Sequence, residues 1–269
     1  KYLCFHTLST HFLSRVHFPL ISHPLPTSRD LLSLLYISIF YPLHFLFLSH
    51  SQYDSTDSSR FNVSDTVDSS SVLTLSIIRC TVSADKYNTH EVVPDVLSAS
   101  PKHELYVEWE NGSETTLGNE LTPTQVQKKP RLSWAADEDA LYTVIMADPD
   151  APSRENPSKR EFLHWLVVNV KGSRIRTGNT VTDYIGAGPP EGTGPHRYVF
   201  SVWKQDRKLT ADDYGKIVSR TSADGRPHFR TMDFARRATG EKDPKAIAAN
   251  FFEAAYDDYV PILHKQIGK

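Results

Sequence analysis

Cysteine is nearly absent from this chain of 269 residues, which has only Cys4 and Cys80. Beyond residue 84 there is neither a disulfide framework nor a cysteine-based metal site, so core packing must stabilise that part. The net charge is -2, and no long cluster of Lys or Arg occurs. A nucleic-acid-binding face is therefore not expected.

Residues 1–80 contain no Gly, Ala, Glu or Met, whereas all 12 glycines lie beyond Trp109. Folded domains use Gly in turns and Ala or Glu in helices. We therefore interpret residues 1–84 as an extension, disordered or of signal or anchor character, and residues 85–269 as the folded domain. The apolar run Leu31–Leu48 just reaches the ~18 residues of a membrane span. A cytoplasmic location is expected, with secretion as the alternative if the segment before Asp85 is a signal sequence.

Short apolar runs separated by turn residues dominate the segment from residue 85 onward. Residues 105–109 alternate apolar and polar side chains before an Asn-Gly turn, and Arg197–Trp203 alternates again. Leu141–Ala147 and Leu163–Val170 are continuous apolar runs, typical of buried strands. Because no amphipathic helix separates these strands, the pattern favours a sandwich or barrel over βαβ units.

Helical signals are few. Thr122–Gln125 has the spacing of a capping box, which predicts a short helix. Asp243 and Pro244 predict a helix continuing through residues 246–250, and Asp257–Gln266 shows apolar residues at helical spacing.

The segment Asp148–Arg154 places two carboxylates and two prolines directly after a buried strand. It is either a stiff loop that fixes Asp148 and Asp150 at the mouth of a pocket, or an ordinary surface turn. Either proline could be cis. His164 lies in an apolar strand and needs a hydrogen-bond partner, which one of these carboxylates could supply. A hydrogen-bonded core histidine is the alternative.

A second candidate region is the glycine-rich segment Gly186–Gly194 with the strand that follows it. Its glycines could form an anion-binding nest or simply a long structured loop. By strand alternation His196 and Tyr198 face one side and Arg197 the other. Imidazole, phenol and backbone N–H groups can donate to phosphate, and carboxylates can accept from an amine. Together they suit a zwitterionic headgroup.

Five strings together resemble the phosphatidylethanolamine-binding protein family, which includes the Raf kinase inhibitor proteins. They are Leu117–Val126, Asp148–Arg154, Arg160–Asn169, Tyr184–Phe200 and Asp257–Pro261. The resemblance covers about residues 85–269. It implies a mainly β fold, a β-sandwich of this family with a few short helices and a C-terminal helix, and a small anion pocket.

The resemblance also implies which residues bind ligand. These are Asp148, Asp150, Pro152, His164, Gly188, Pro190, His196 and Tyr198. Two positions depart from the family pattern. Phe162-Leu163-His164 stands where the family often has Trp-His-His, and His264 stands where a pocket tyrosine is common in animal members. His264 joins the predicted site because it keeps a donor and adds pH sensitivity near neutrality.

The resulting prediction is a monomeric binding and regulatory protein without a cofactor or metal. Its expected ligand is a phospholipid headgroup or a phosphorylated small molecule, with peripheral membrane contact at most. It would inhibit a protein kinase or serine protease by direct contact. The alternative is a metal-dependent hydrolase using the Asp and His cluster, but no separate nucleophile or base is evident. An Asp-x-Asp sugar transferase would need a nucleotide-binding α/β fold, which this strand pattern does not offer.

Overall fold

The computed structural model describes residues 85–268. The interpretation of residues 1–84, including the apolar run Leu31–Leu48, lies outside the described residues, and the domain boundary at residue 85 stays a prediction. Within residues 85–268, no helix combines the length and apolarity that crossing a bilayer requires.

Strands form most of the regular structure, and all helices are short. The strands are β1 (His103–Glu104), β2 (Tyr106–Glu108), β3 (Asn119–Glu120), β4 (Arg131–Ser133), β5 (Leu141–Asp148), β6 (Phe162–Lys171), β7 (Asn179–Thr182), β8 (His196–Lys204) and β9 (Ala248–Ala254). The helices are α1 (Val92–Asp95), α2 (Ala211–Tyr214), α3 (Thr231–Thr239) and α4 (Val260–Gln266), with a 3-10 turn at Ile175–Thr177. Residues 85–89 are also helical.

The main sheet is mixed and open, with the strand order β1-β9-β8-β5-β6-β7. The strands β1 and β3 both pair with β9 in parallel, whereas the remaining pairs of this sheet are antiparallel. β2 and β4 form a separate antiparallel pair. The mainly β architecture expected from the sequence is confirmed.

Both faces of the main sheet are buried, which explains the continuous apolar runs of β5 and β6. On one face Val144 and Met146 pack in a core that also contains Trp109 beside the β2–β4 pair. On the other face Ile145 packs in a second core with Phe234 of α3. The main sheet thus lies between two packed layers.

The helix predicted across residues 246–250 is wrong, because these residues lead into β9. Asn250 pairs with Phe200 of β8, and its side-chain amide donates to the carbonyl oxygens of Leu105 and Thr115, each at 2.9 Å. Its Oδ1 accepts the Leu117 N–H. Cross-strand pairing and these long-range hydrogen bonds outweigh the local helical preference of the alanines.

The predicted helix at Thr122–Gln125 is also wrong, although its capping signal is real. The Thr122 N–H donates to Gln125 Oε1 at 2.8 Å, and the Gln125 N–H donates to Thr122 Oγ1 at 3.2 Å. Residues 123–126 nevertheless form only a turn. Helix nucleation is costly, and Pro130 follows before an apolar face could repeat. The C-terminal helix is confirmed, but begins at Val260 rather than Asp257.

Candidate ligand-binding site

The site is built where β5 ends and β8 begins. Because these strands are antiparallel neighbours, Asp148 at the end of β5 comes beside His196 at the start of β8. His196 Nδ1 lies 2.8 Å from Asp148 Oδ2, and both side chains are buried. On its other side His196 Nε2 lies 3.0 Å from Thr193 Oγ1. The imidazole is therefore held in one orientation by both of its nitrogens.

His164 reaches the same place through a β-bulge in β6. The partners of Met146 and Ala147 in β6 are Trp165 and Leu163, so His164 is the extra residue between them. Bulges redirect side chains and occur often beside functional sites. His164 Nδ1 lies 3.0 Å from the Gly186 carbonyl oxygen and 3.2 Å from that of Ile185. Because both partners are acceptors, Nδ1 carries a proton, which fixes the tautomer when the ring is neutral. The sequence suggested a carboxylate of Asp148 or Asp150 as the partner of His164, but the partners observed at Nδ1 are these two backbone carbonyl oxygens.

A buried arginine fixes the backbone on both sides of this bulge. Arg226 donates to the carbonyl oxygens of Leu163 at 3.0 Å and His164 at 3.3 Å, and also to those of Asp183, Ser219 and Ser222. Burial lowers the pKa of Arg226 to about 10, so the guanidinium stays charged at neutral pH. This positive charge lies directly behind the wall that carries His164.

The glycine-rich loop (residues 186–194) and α4 form another part of the wall of this site. His264 Nε2 lies 3.0 Å from the Gly188 carbonyl oxygen, and the Gly188 N–H donates to Tyr198 Oη at 3.2 Å. A Cβ at Gly188 would lie 2.8 Å from Leu263 Cδ2, so any larger residue there would require the Leu263 side chain of α4 to shift. The Gly188 N–H is thus engaged by Tyr198 rather than directed at a ligand, which weakens the interpretation of this loop as an anion-binding nest.

These elements enclose a cavity of about 110 Å³. Seven of the nine predicted ligand-binding residues lie on its wall, namely Asp148, Pro152, His164, Gly188, Pro190, His196 and His264. The Ala151–Pro152 peptide bond is cis. An apolar floor of Phe162, Leu263 and Ile267 completes the cavity.

Asp150 and Tyr198 do not lie on the wall, contrary to their predicted placement. Asp150 is fully buried and accepts from Arg197 Nε at 2.8 Å, from Arg197 Nη2 at 2.5 Å and from the Arg197 backbone N–H at 2.9 Å. Tyr198 lies behind Gly188 and contacts the His164 ring edge to face, with ring centres 5.1 Å apart. Strand alternation does place Arg197 opposite His196 and Tyr198, as expected. Both residues lie behind the wall, and their predicted contact with a ligand stays a prediction.

The two aspartates differ because their neighbours differ. Burial raises the pKa of Asp148, although the hydrogen bond and charge of His196 oppose that shift. Burial also opposes ionisation of Asp150, but the hydrogen bonds and charge of Arg197 together hold its pKa below the ordinary value. Burial and the charge of Asp148 raise the pKa of Tyr198 well above its usual range, so its phenol stays protonated.

Lys159 is a wall residue that the sequence interpretation missed. It lies between the Asp148–Arg154 loop and β6, in a stretch without periodicity, and no motif distinguished it. Its backbone N–H donates to the Ala151 carbonyl oxygen at 2.9 Å, and its own carbonyl oxygen accepts from His228. Lys159 is exposed, and among the described residues it is the one Lys or Arg on the wall of this cavity.

Comparison with known proteins places this architecture in a family. The sequence profile described as "Phosphatidylethanolamine-binding protein" matches residues 111–252, more than half of the chain. The chain belongs to the phosphatidylethanolamine-binding protein family. The profile spans Asp148, His164 and His196, whereas His264 lies beyond the matched residues.

Relatives of this phosphatidylethanolamine-binding protein family member are known in sequence and structure. It is 39% identical over 177 residues to "Putative odorant-binding protein A5" of Drosophila melanogaster, covering 66% of this chain and 82% of the relative. It is similar to the solution structure of CG7054, with 43% identity, a TM-score of 0.54, and coverage of 66% and 98% of the two chains. A carboxypeptidase Y inhibitor complexed with its cognate proteinase is 27% identical, with a TM-score of 0.55 and coverage of 66% and 97%.

The hydrolase alternative finds no support in this geometry. Across residues 85–268, no group of three or more His, Cys, Asp or Glu side chains is arranged to hold a metal ion. Asp150 is engaged by Arg197, and His164 Nδ1 is directed to backbone carbonyl oxygens. Of the four ligands that the alternative needed, only Asp148 and His196 form a close pair.

Proposed function

We propose that this phosphatidylethanolamine-binding protein family member is a binding protein, not an enzyme, that holds phosphorylated ligands in the cavity between β5, β8 and α4. The observation that carries the proposal is the convergence of three histidines on a small cavity with an apolar floor. His164, His196 and His264 come from β6, β8 and α4, and all three lie on the wall. Imidazole groups donate to phosphate oxygens, and most strongly when protonated.

The size of the cavity favours a headgroup over a whole lipid. A volume of about 110 Å³ is small compared with the ~300–1,000 Å³ of drug-sized pockets. A phosphoryl group and a few further atoms can be enclosed, while any acyl chains would remain outside. We therefore propose that a lipid ligand contacts the protein through its headgroup, with peripheral membrane contact.

Calorimetric titration of the full chain with phosphorylethanolamine tests the proposal. Replacing His196 by alanine removes a donor that would reach a phosphate oxygen by exchanging its Thr193 contact, so affinity should weaken by about 1–3 kcal/mol. The variant His264→Ala tests the same wall from α4, away from the buried Asp148 pair. His103→Ala is the matched control, because His103 is exposed on β1 and absent from the wall. Unchanged affinity in both pocket variants would remove these histidines from the binding site.

A second candidate function is inhibition of a peptidase by direct contact. It is favoured by the similarity to the carboxypeptidase Y inhibitor, at 27% identity and a TM-score of 0.55. Titrating carboxypeptidase Y with this protein during hydrolysis of a peptide substrate tests it, and we expect saturable inhibition. Full activity in the presence of excess protein would contradict it. Kinase inhibition remains part of the proposal on family membership alone, and a kinase assay with the same preparation tests it.

A further inference from the structure

The ionisable side chains on the cavity wall are mostly basic. Lys159 contributes an ammonium group, and His164, His196 and His264 contribute three imidazoles. Within the described chain no acidic side chain forms an ion pair with Lys159, and Arg226 adds a guanidinium behind the wall without a carboxylate hydrogen-bond partner. The single acidic residue on the wall is Asp148.

The carboxylates that could receive an ammonium group already accept hydrogen bonds from the protein. Asp148 Oδ1 accepts the Asp150 N–H at 2.6 Å, and Oδ2 is paired with His196 at 2.8 Å. Asp150 is fully buried, and both of its oxygens accept from Arg197. An ethanolamine ammonium would therefore have to share these oxygens with charge-assisted bonds, which are the stronger kind.

The backbone acceptors around the cavity are engaged as well. The carbonyl oxygens of Ile185 and Gly186 face His164 Nδ1, and that of Gly188 faces His264 Nε2. The Pro190 carbonyl oxygen accepts from the Thr193 hydroxyl at 2.8 Å. The imidazole N–H groups are thus engaged at these same contacts, and Lys159 is the cationic wall residue that no acidic side chain of residues 85–268 pairs with.

Within the function proposed above, we propose that the cavity selects the phosphate monoester dianion over a zwitterionic phosphodiester headgroup, and that Lys159 determines this preference. A phosphate monoester carries about −1.5 to −2 charge at pH 7, because its second pKa is ≈ 6. A phosphodiester carries one negative charge and presents fewer terminal oxygens. The ammonium of Lys159 gains most from the additional charge of the monoester, since attraction between unlike charges grows with their product.

The test is calorimetric titration of the full chain at low ionic strength with two matched ligands. Glycerol 3-phosphate is the monoester, and glycerophosphoethanolamine is the zwitterionic diester. We expect the monoester to bind about tenfold more tightly, the ratio that one additional charge-assisted hydrogen bond provides. Lys159→Gln should remove that ratio by weakening the monoester more than the diester, and Lys159→Arg should retain it. Lys171→Gln at the far end of β6 is the control and should leave both affinities unchanged.

Three other outcomes are possible, and each contradicts one part of the proposal. Diester binding equal to or tighter than monoester binding overturns the selectivity while leaving the proposed function intact. Equal weakening of both ligands by Lys159→Gln assigns Lys159 a general role and overturns its role in selectivity. Binding of neither ligand overturns the proposed function itself.

Discussion

Replacing Asp150 by alanine distinguishes a carboxylate that supports the fold from one that contacts ligand. Arg197 is fully buried, and its guanidinium is held by Asp150, by Asp95 at 2.8 Å and by the His90 carbonyl oxygen at 2.8 Å. Removing one partner of a buried ion pair typically costs about 3–5 kcal/mol, and here the buried guanidinium would keep only the partly exposed Asp95 carboxylate as its anionic partner. We expect this loss in the free energy of unfolding, a large part of the roughly 5–15 kcal/mol of a typical domain.

Guanidinium denaturation followed by tryptophan fluorescence measures this loss, since Trp109, Trp165 and Trp203 are all buried. Glu138→Ala is a matched control that removes an exposed partner of Arg174 and should cost at most about 1 kcal/mol. The double variant Asp150→Leu with Arg197→Met should be more stable than either corresponding single variant, because it removes both members of the buried pair and leaves Asp95 its contact with Arg160.

The acid dependence of stability provides a second measurement on the same variant. The pKa of Asp150 in the folded state lies below its ordinary value, so its stabilisation is present above that ordinary value and is lost as pH falls through the folded pKa. Asp150→Ala should lack this acid component. Stability equal to that of the unmodified protein, combined with loss of phosphorylethanolamine binding, would refute the supporting role and restore Asp150 as a ligand contact.

Three further predictions concern Glu161, Arg226 and Gly188. Glu161 accepts from the N–H and hydroxyl of Thr231 at the start of α3, and burial raises its pKa from 4.5 to about 7. Its stabilisation is therefore complete below about pH 4.5 and lost as pH rises through 7, so unfolding free energy should fall by roughly 3 kcal/mol between about pH 5 and 8. Glu161→Gln should flatten that dependence, and an unchanged pH profile would contradict the assignment. Arg226→Met should destabilise by more than about 3 kcal/mol in denaturant titration, because it leaves five carbonyl oxygens without this donor. Stability within experimental error of the unmodified protein would show that water replaces the guanidinium. Gly188→Ala should cost about 1–3 kcal/mol by forcing Leu263 and α4 outward, and it should also weaken glycerol 3-phosphate binding, whereas Gly192→Ala has open space and tests positive φ alone. Equal effects of the two glycine variants would indicate that contact with α4 is not the cause.

The local sequence pattern predicted the structure correctly where a feature depended on residues of one strand alone. Continuous apolar runs predicted β5 and β6 correctly, because a strand that is buried on both faces has apolar residues at nearly every position. Strand alternation separated Arg197 from His196 and Tyr198 correctly. The helix expected at residues 246–250 failed because the pairing of β9 with β8 depends on partners about fifty residues away in the chain.

The sequence by itself determined the fold class, the family and seven residues of the cavity wall, since these depend on local spacing and on motifs read in order. Only the tertiary structure decided which groups are still available to a ligand. Asp148 and Asp150 are two residues apart and chemically identical, yet one lies on the wall while the other is held behind it by Arg197. Lys159 has no motif of its own, and it reaches the cavity because the chain folds the Asp148–Arg154 loop against the start of β6. Ion pairing, burial and approach of distant segments set those outcomes, and none of them is a property of neighbouring residues in the chain.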